Sequence, residues 1–194
     1  LIFDEVITAF GRLGAATAAE RFGVTPDLMT FAKGVTGGTV PMGGVLVSKE
    51  IYDSFQGDGG PDHAIDLFHG YTYSGHPLAM AAALATLDLY RDEGLFEQAA
   101  ANETVMADAA HALKDHPLML DIRTIGLVAA FDLASIEGLP GKRGYDVMCR
   151  AFHDEGMMIR VTADTIAFSP PLKATEDHIM EMFEKFRRVL DACS

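Results

Sequence analysis

Short apolar blocks dominate the first part of the chain, and longer stripes with helical spacing dominate the rest. Leu1 to Phe3, Leu28 to Ala32 and Met42 to Val47 are the blocks. Runs this short, bounded by charge or glycine, read as strands, the first of them as a buried parallel strand. Ala15 to Phe22, stopped by Gly23, and the segment capped by Ser48 and running through Phe55 read as short helices. Gln56 to Gly70 is rich in glycine and scattered Asp and reads as a long loop.

From His76 onward the pattern changes. His76 to Glu93 is Ala-rich, with Leu78, Ala82, Ala85 and Leu89 at helical spacing. Gly94 ends it, and Leu95 to Asp115 reads as a second long helix. Met119 to Ile125 and Leu127 to Leu133 flank Gly126 as a bend or hairpin. Tyr145 to Glu155 reads as a helix, and Met157 to Val161 and Thr165 to Phe168 as short strands. A last helix opens at Thr175, with Ile179, Met182, Phe183, Phe186, Val189 and Leu190 as its apolar stripe. His178 stands where a capping box usually has Glu, so this cap is expected to be half formed. The change from glycine-rich strands to long helices divides the chain into residues 1–92 and 93–194.

Two of the strand-like blocks deliver chemistry. The first ends in Asp4; 29 positions later (33 minus 4) the second ends in Lys33, followed by Gly34, Gly37 and Gly38. Ligands of open α/β sheets gather beyond the carboxyl ends of strands. An amine and an acid presented there suit pyridoxal phosphate: the amine forms a Schiff base, and the acid keeps the pyridine nitrogen protonated. Singly, each has a plainer account, a turn former for Asp4 and a solvated lysine for Lys33. Val6 would point to the same side as Asp4 if the chain stays extended; a core valine is the other account. Arg160 interrupts the apolar run Ile159-Arg160-Val161. It either lies on the solvent face of an edge strand or is a bidentate fork for a carboxylate.

Charge and composition narrow the classes. A net charge of −13 argues against nucleic acid or an anionic membrane as partner. The hydrophobic content of 49% and charged content of 22% are those of a folded globular chain. The two cysteines, Cys149 and Cys193, form no metal-ligand pattern and suit a reducing cytoplasm. No apolar run reaches the ~20 residues of a membrane span, and signal-peptide anatomy is lacking.

Three ordered blocks carry a family resemblance. Phe3-Asp4-Glu5-Val6-Ile7-Thr8-Ala9-Phe10-Gly11-Arg12 resembles the aspartate segment of the class III (omega) aminotransferases. Pro26-Asp27-Leu28-Met29-Thr30-Phe31-Ala32-Lys33-Gly34 resembles their lysine segment, and Gly70-Tyr71-Thr72-Tyr73-Ser74-Gly75-His76-Pro77 a third. Within the family, the likeness is greatest to the beta-alanine/omega-amino acid:pyruvate transaminases. The resemblance implies an α/β fold of the fold-type I PLP transferases: the C-terminal part of the large cofactor domain, then a small α+β domain. It implies Lys33 as the Schiff-base lysine and general base, Asp4 as the pyridinium anchor and Val6 packed on the ring. Thr72, with Tyr71 beside it, is implied at the cofactor phosphate of a neighbouring subunit, hence a homodimer with shared sites. The plainer account of this block is a Ser/Thr capping turn at His76-Pro77. Arg160 is implied as the substrate-carboxylate fork, although Ala163 stands where the family more often has Gly. Partners would be an amine donor and a keto acid acceptor. Because the chain starts inside a strand, without Met, it is expected to be a C-terminal fragment. Another PLP reaction on the same frame, such as an aminomutase or decarboxylase, and a non-catalytic dimerisation piece are the rival readings.

Overall fold

Strand pairing starts at once. In the computed structural model, which describes residues 1–55, 63, 70 and 72–194, β1 (Ile2–Asp4) lies parallel to β2 (Leu28–Ala32). β2 pairs antiparallel with β3 (Gly43–Val47), giving the order β1-β2-β3. Between β1 and β2 the chain turns and forms α1 (Ala18–Phe22), capped by the Thr17 hydroxyl and closed by Gly23 in the left-handed region. A 3-10 turn, Lys33–Thr36, follows β2 directly. α2 (Lys49–Ser54) is capped by Ser48, and α3 (Pro77–Asp92) starts with Pro at its first position. The chain divides into two units: Leu1–Gly11 with Ala15–Leu95, and Arg12–Gly14 with Phe96–Ser194.

Two expectations change in the first unit. β1 is parallel, but it is not buried: Ile2 is 64% exposed, because among the described residues this strand has a neighbour on one side alone. The inward face of α3 is Ala79 and Ala83, with Thr86 and Tyr90 half-buried, whereas Leu78 and Leu89 are exposed. A helix apolar nearly all round does not reveal its face by periodicity. The small residues Ala79 and Ala83 are the buried positions, and Thr86 faces Gly37 of the 3-10 turn.

The second unit is a four-stranded antiparallel sheet with helices. β4 (Met119–Ile125), β5 (Val128–Leu133), β6 (Arg160–Thr162) and β7 (Thr165–Phe168) lie in the order β4-β5-β7-β6. Gly126-Leu127 is the two-residue hairpin loop between β4 and β5. Gly126 has φ +51°, and a Cβ there would lie 2.5 Å from the Arg12 carbonyl oxygen. Arg12 holds this loop: its carbonyl accepts from Leu127 N (3.0 Å), and its guanidinium donates to the Leu127 and Pro170 carbonyls (3.2 and 2.6 Å).

Against the sheet pack α5 (Glu103–His111), α6 (Lys142–His153) and α7 (Glu176–Ala192). Phe131, Phe168, Phe183 and Phe186 meet at ring-centroid distances of 4.8 to 6.1 Å and fill the core. The expected helix Leu95 to Asp115 is in fact two, α4 (Leu95–Ala101) and α5. Asn102 separates them, its side-chain amide drawn to the Ala174 carbonyl at 2.8 Å. The cap of α7 is complete: the Thr175 hydroxyl accepts from His178 N, and His178 Nδ1 accepts from Thr175 N (3.2 Å). Imidazole thus replaces the usual carboxylate. No helix among the described residues is long and apolar enough to cross a membrane.

Candidate active site

Asp4 closes β1, and Lys33 begins where β2 ends. The two strands are parallel and hydrogen-bonded, with Asp4 opposite Thr30, so both side chains leave the same end of the sheet. Asp4 Oδ1 accepts from Val6 N (3.1 Å) and from the Thr30 hydroxyl (3.0 Å). Asp4 Oδ2 has no hydrogen-bond partner among the described residues. The carboxylate is therefore oriented with one oxygen spare.

The next residue fixes the strand end. Glu5 is 1% exposed, and its carboxylate accepts from the Thr8 hydroxyl (2.6 Å) and from Ala18 N and Ala19 N (both 2.8 Å). Two free amides of the first turn of α1 thereby take a charge-assisted partner from 13 and 14 positions away. No local pattern in the sequence marks this bond. Val6 does not continue an extended strand, because Ala9 N donates back to the Glu5 carbonyl and residues 6 to 13 are turns. The condition for Val6 and Asp4 to share a strand face is absent. Val6 is half-buried, and its amide holds Asp4.

Lys33 has φ +47°, a left-handed conformation rare outside glycine. Residues held this way cost of order 1–3 kcal/mol and gather at functional sites. Its ammonium makes no hydrogen bond or ion pair among the described residues. Aromatic rings back the turn. Phe10, itself at φ +61°, stacks on Tyr90 of α3 (centroids 6.2 Å) and meets Phe31 of β2 edge-on (6.0 Å). Gly34 has no room for a side chain: a Cβ would lie 2.8 Å from Phe10 Cβ. The Tyr90 hydroxyl donates to the Gly34 carbonyl at 2.6 Å. Sequence reasoning missed Tyr90, which looks like one more apolar position of an Ala-rich helix.

Thr72 is exposed, in a turn before α3, and makes no hydrogen bond among the described residues. His76 caps α3 without a side-chain hydrogen bond, so Thr72 is not a helix cap. Tyr71 lies outside the described residues, as does most of the loop read at Gln56 to Gly70. Arg160 belongs to the second unit. It is exposed at the start of β6, an edge strand, and lines a cleft of about 980 Å³ with Met157, Met158, Lys173 and His178. Its guanidinium makes no ion pair among the described residues.

The turn after Arg160 is built around Asp164. Its carboxylate accepts from the Ser135 hydroxyl (2.6 Å), Gly141 N and Gly144 N (both 2.9 Å). Burial alone would raise its pKa; these donors and the Arg143 charge outweigh burial and hold it below the usual carboxylate value. Ala163 has φ +51°, in the left-handed region that glycine adopts without strain.

Comparison with known proteins identifies the family. The family model described as "Aminotransferase class-III" matches residues 1–190. The omega-aminotransferase of Caulobacter vibrioides is 55% identical over 190 residues, covering 98% of this chain and 43% of the relative. The beta-alanine--pyruvate aminotransferase of Pseudomonas aeruginosa is 43% identical over 191 residues, covering 98% and 42%. The omega transaminase from Pseudomonas jessenii, solved in complex with PMP, superposes with a TM-score of 0.88 at 34% identity, over 99% of this chain and 43% of that one. The chain thus spans less than half the length of the relatives it matches, and its fold is that of the fold-type I transaminases. By sequence match and by structure, the chain belongs to the class III aminotransferases, which depend on pyridoxal phosphate.

Proposed function

We propose that the protein carrying this chain is a transaminase that moves an amino group from a beta-alanine-like omega-amino acid or amine to a keto acid such as pyruvate. One observation carries the reading: Asp4 and Lys33 stand at the same end of two parallel, directly paired strands. Lys33 comes three residues after Thr30, the partner of Asp4, or about 10 Å along the strand at ~3.3 Å per residue. Side chains of this length reach the two ends of one small aromatic ring from there.

The residues fit the cofactor. The oriented Asp4 carboxylate, with Oδ2 unpartnered among the described residues, suits a pyridinium N–H, and the Lys33 amine, likewise unpartnered among the described residues, suits the aldehyde. Gly38 leaves open space beside the turn, whereas Gly34 makes room for Phe10 and Gly37 faces Thr86. Bound, the cofactor supplies an electron sink for the bond broken at the substrate carbon. Lys33 would hold it covalently and, once displaced by the substrate amine, move a proton from that carbon as general base. Asp4 would keep the ring nitrogen charged, Val6 would pack beside the ring, and Arg160 would take the substrate carboxylate as a planar fork.

On this reading residues 1–92 are the C-terminal part of the cofactor domain, and 93–194 are the small domain. Thr72 then serves a neighbouring subunit, the working unit is a homodimer with shared sites, and the compartment is the cytoplasm. Names of the relatives support the substrate class. Lys33→Ala in the full-length protein tests the reading: loss of the yellow colour and of turnover is expected, and retained transamination rejects it. Dependence on added pyruvate separates transamination from an aminomutase or decarboxylase.

A further inference from the structure

We infer that Tyr90 is a positioning residue for Lys33, acting through the Gly34–Val35 peptide, one residue beyond the lysine. The inference rests on the proposed role of Lys33. Tyr90 comes from α3, 56 positions beyond Gly34, and its hydroxyl donates to the Gly34 carbonyl at 2.6 Å. That carbonyl also accepts from Gly37 N (3.1 Å), so both its lone pairs are used and the peptide plane is fixed from two directions. The plane is the Gly34–Val35 peptide, inside the turn that begins at the left-handed Lys33 and has no side-chain cap at its start. Within the turn, Gly38 N donates to the Lys33 carbonyl at 3.2 Å, and Tyr90 adds the hold from outside it.

Packing supplies the rest of the clamp. The Tyr90 ring lies nearly parallel to Phe10, at 22°. Phe10 closes over Gly34 and abuts Phe31, two residues before Lys33. Gly44 of β3 faces Phe31 so closely that a Cβ there would lie 2.7 Å from its ring. The ring stack thus fixes where the turn sits, and the hydroxyl fixes how its peptide is rotated. Rotation of the Gly34–Val35 peptide moves Gly34 and, through it, the Lys33 backbone from which the lysine side chain leaves. A general base loses effectiveness quickly when its direction is wrong.

Tyr90→Phe in the full-length protein separates the two parts, because it keeps the stack and removes the hydroxyl. Three readouts are needed: amide hydrogen exchange of Gly34 to Gly38 in cofactor-free protein, kcat and KM for the amine, and the pH at which the lysine-bound cofactor changes colour. Expected are exchange about five- to tenfold faster in the turn with α3 unchanged, and kcat about five- to tenfold lower at unchanged KM. This is the range of one neutral hydrogen bond. A shifted colour transition is expected with them. Unchanged exchange overturns the inference. Faster exchange with unaltered kcat and colour transition also overturns it, since Tyr90 would then be structural alone. Lys33→Ala run beside it keeps the two ideas apart: turnover retained there removes the role of Lys33, whereas the exchange result reports on the clamp itself.

Discussion

Gly144→Ala should destabilise the second unit, against the ordinary rule for helices. Gly144 lies in the first turn of α6, and replacing a helical glycine by alanine normally stabilises by about 1 kcal/mol. Here a Cβ would lie 2.0 Å from the Ala163 carbonyl oxygen and 3.1 Å from Asp164 Cα, both backbone atoms. An ordinary carbon–oxygen contact is about 3.3 Å, so α6 and the β6–β7 turn must part by roughly 1.3 Å. The hydrogen bonds from Gly144 N and Gly141 N to Asp164, both 2.9 Å, cross that gap. Overpacking costs about 1–3 kcal/mol, and losing one bond to a charged acceptor about 1.5–3 kcal/mol. Less the helix gain, the net loss is about 1.5–5 kcal/mol. Urea unfolding, with amide exchange across α6 to identify the unit affected, measures it. Ala163→Gly in the same turn is the control and should be neutral or stabilising by up to about 1 kcal/mol, since φ +51° strains alanine. A Gly144→Ala variant stabilised by about 1 kcal/mol would refute the reasoning.

Three further outcomes are expected. Asp4→Asn removes the negative charge but keeps the bonds to Val6 and Thr30, so the yellow cofactor should bind while kcat falls on the order of 10²–10³-fold, read by steady-state kinetics. Arg160→Ala should raise KM about 10–100-fold for donors bearing a carboxylate and leave simple amines unchanged, read by comparing the two donor classes. Asp164 has a folded-state pKa below its unfolded value of about 3.9, so its stabilisation is present above that value and is lost as pH falls through the folded pKa. Asp164→Asn should therefore be less stable than wild type at pH 7 yet lose less on going from pH 5 to pH 3, read from urea midpoints.

What the sequence discloses depends on how local the cause is. The strands ending at Asp4 and Ala32 are readable because an apolar block followed by charge or glycine is a short-range signal. The Gly126 hairpin and the Gly23 helix stop are equally local. Periodicity finds the stripe of α7, whose polar face is distinct, but not the buried face of α3, which is apolar all round. Asn102 splits a predicted helix through a bond 72 residues away, and His178 completes a cap that the usual Glu pattern does not describe. Around the candidate site the unreadable parts are the long-range ones. Glu5 caps a helix 13 residues on, and Tyr90 holds the lysine turn from another element. Both depend on tertiary approach, which spacing along the chain does not encode.

The most direct test of the central claim is to add pyridoxal phosphate to the full-length protein, reduce with borohydride, and map the modified peptide. The account requires the label on Lys33, formed in wild type and absent in Lys33→Ala. A label on another lysine, such as Lys49 or Lys173, or no stable label at all, would contradict it.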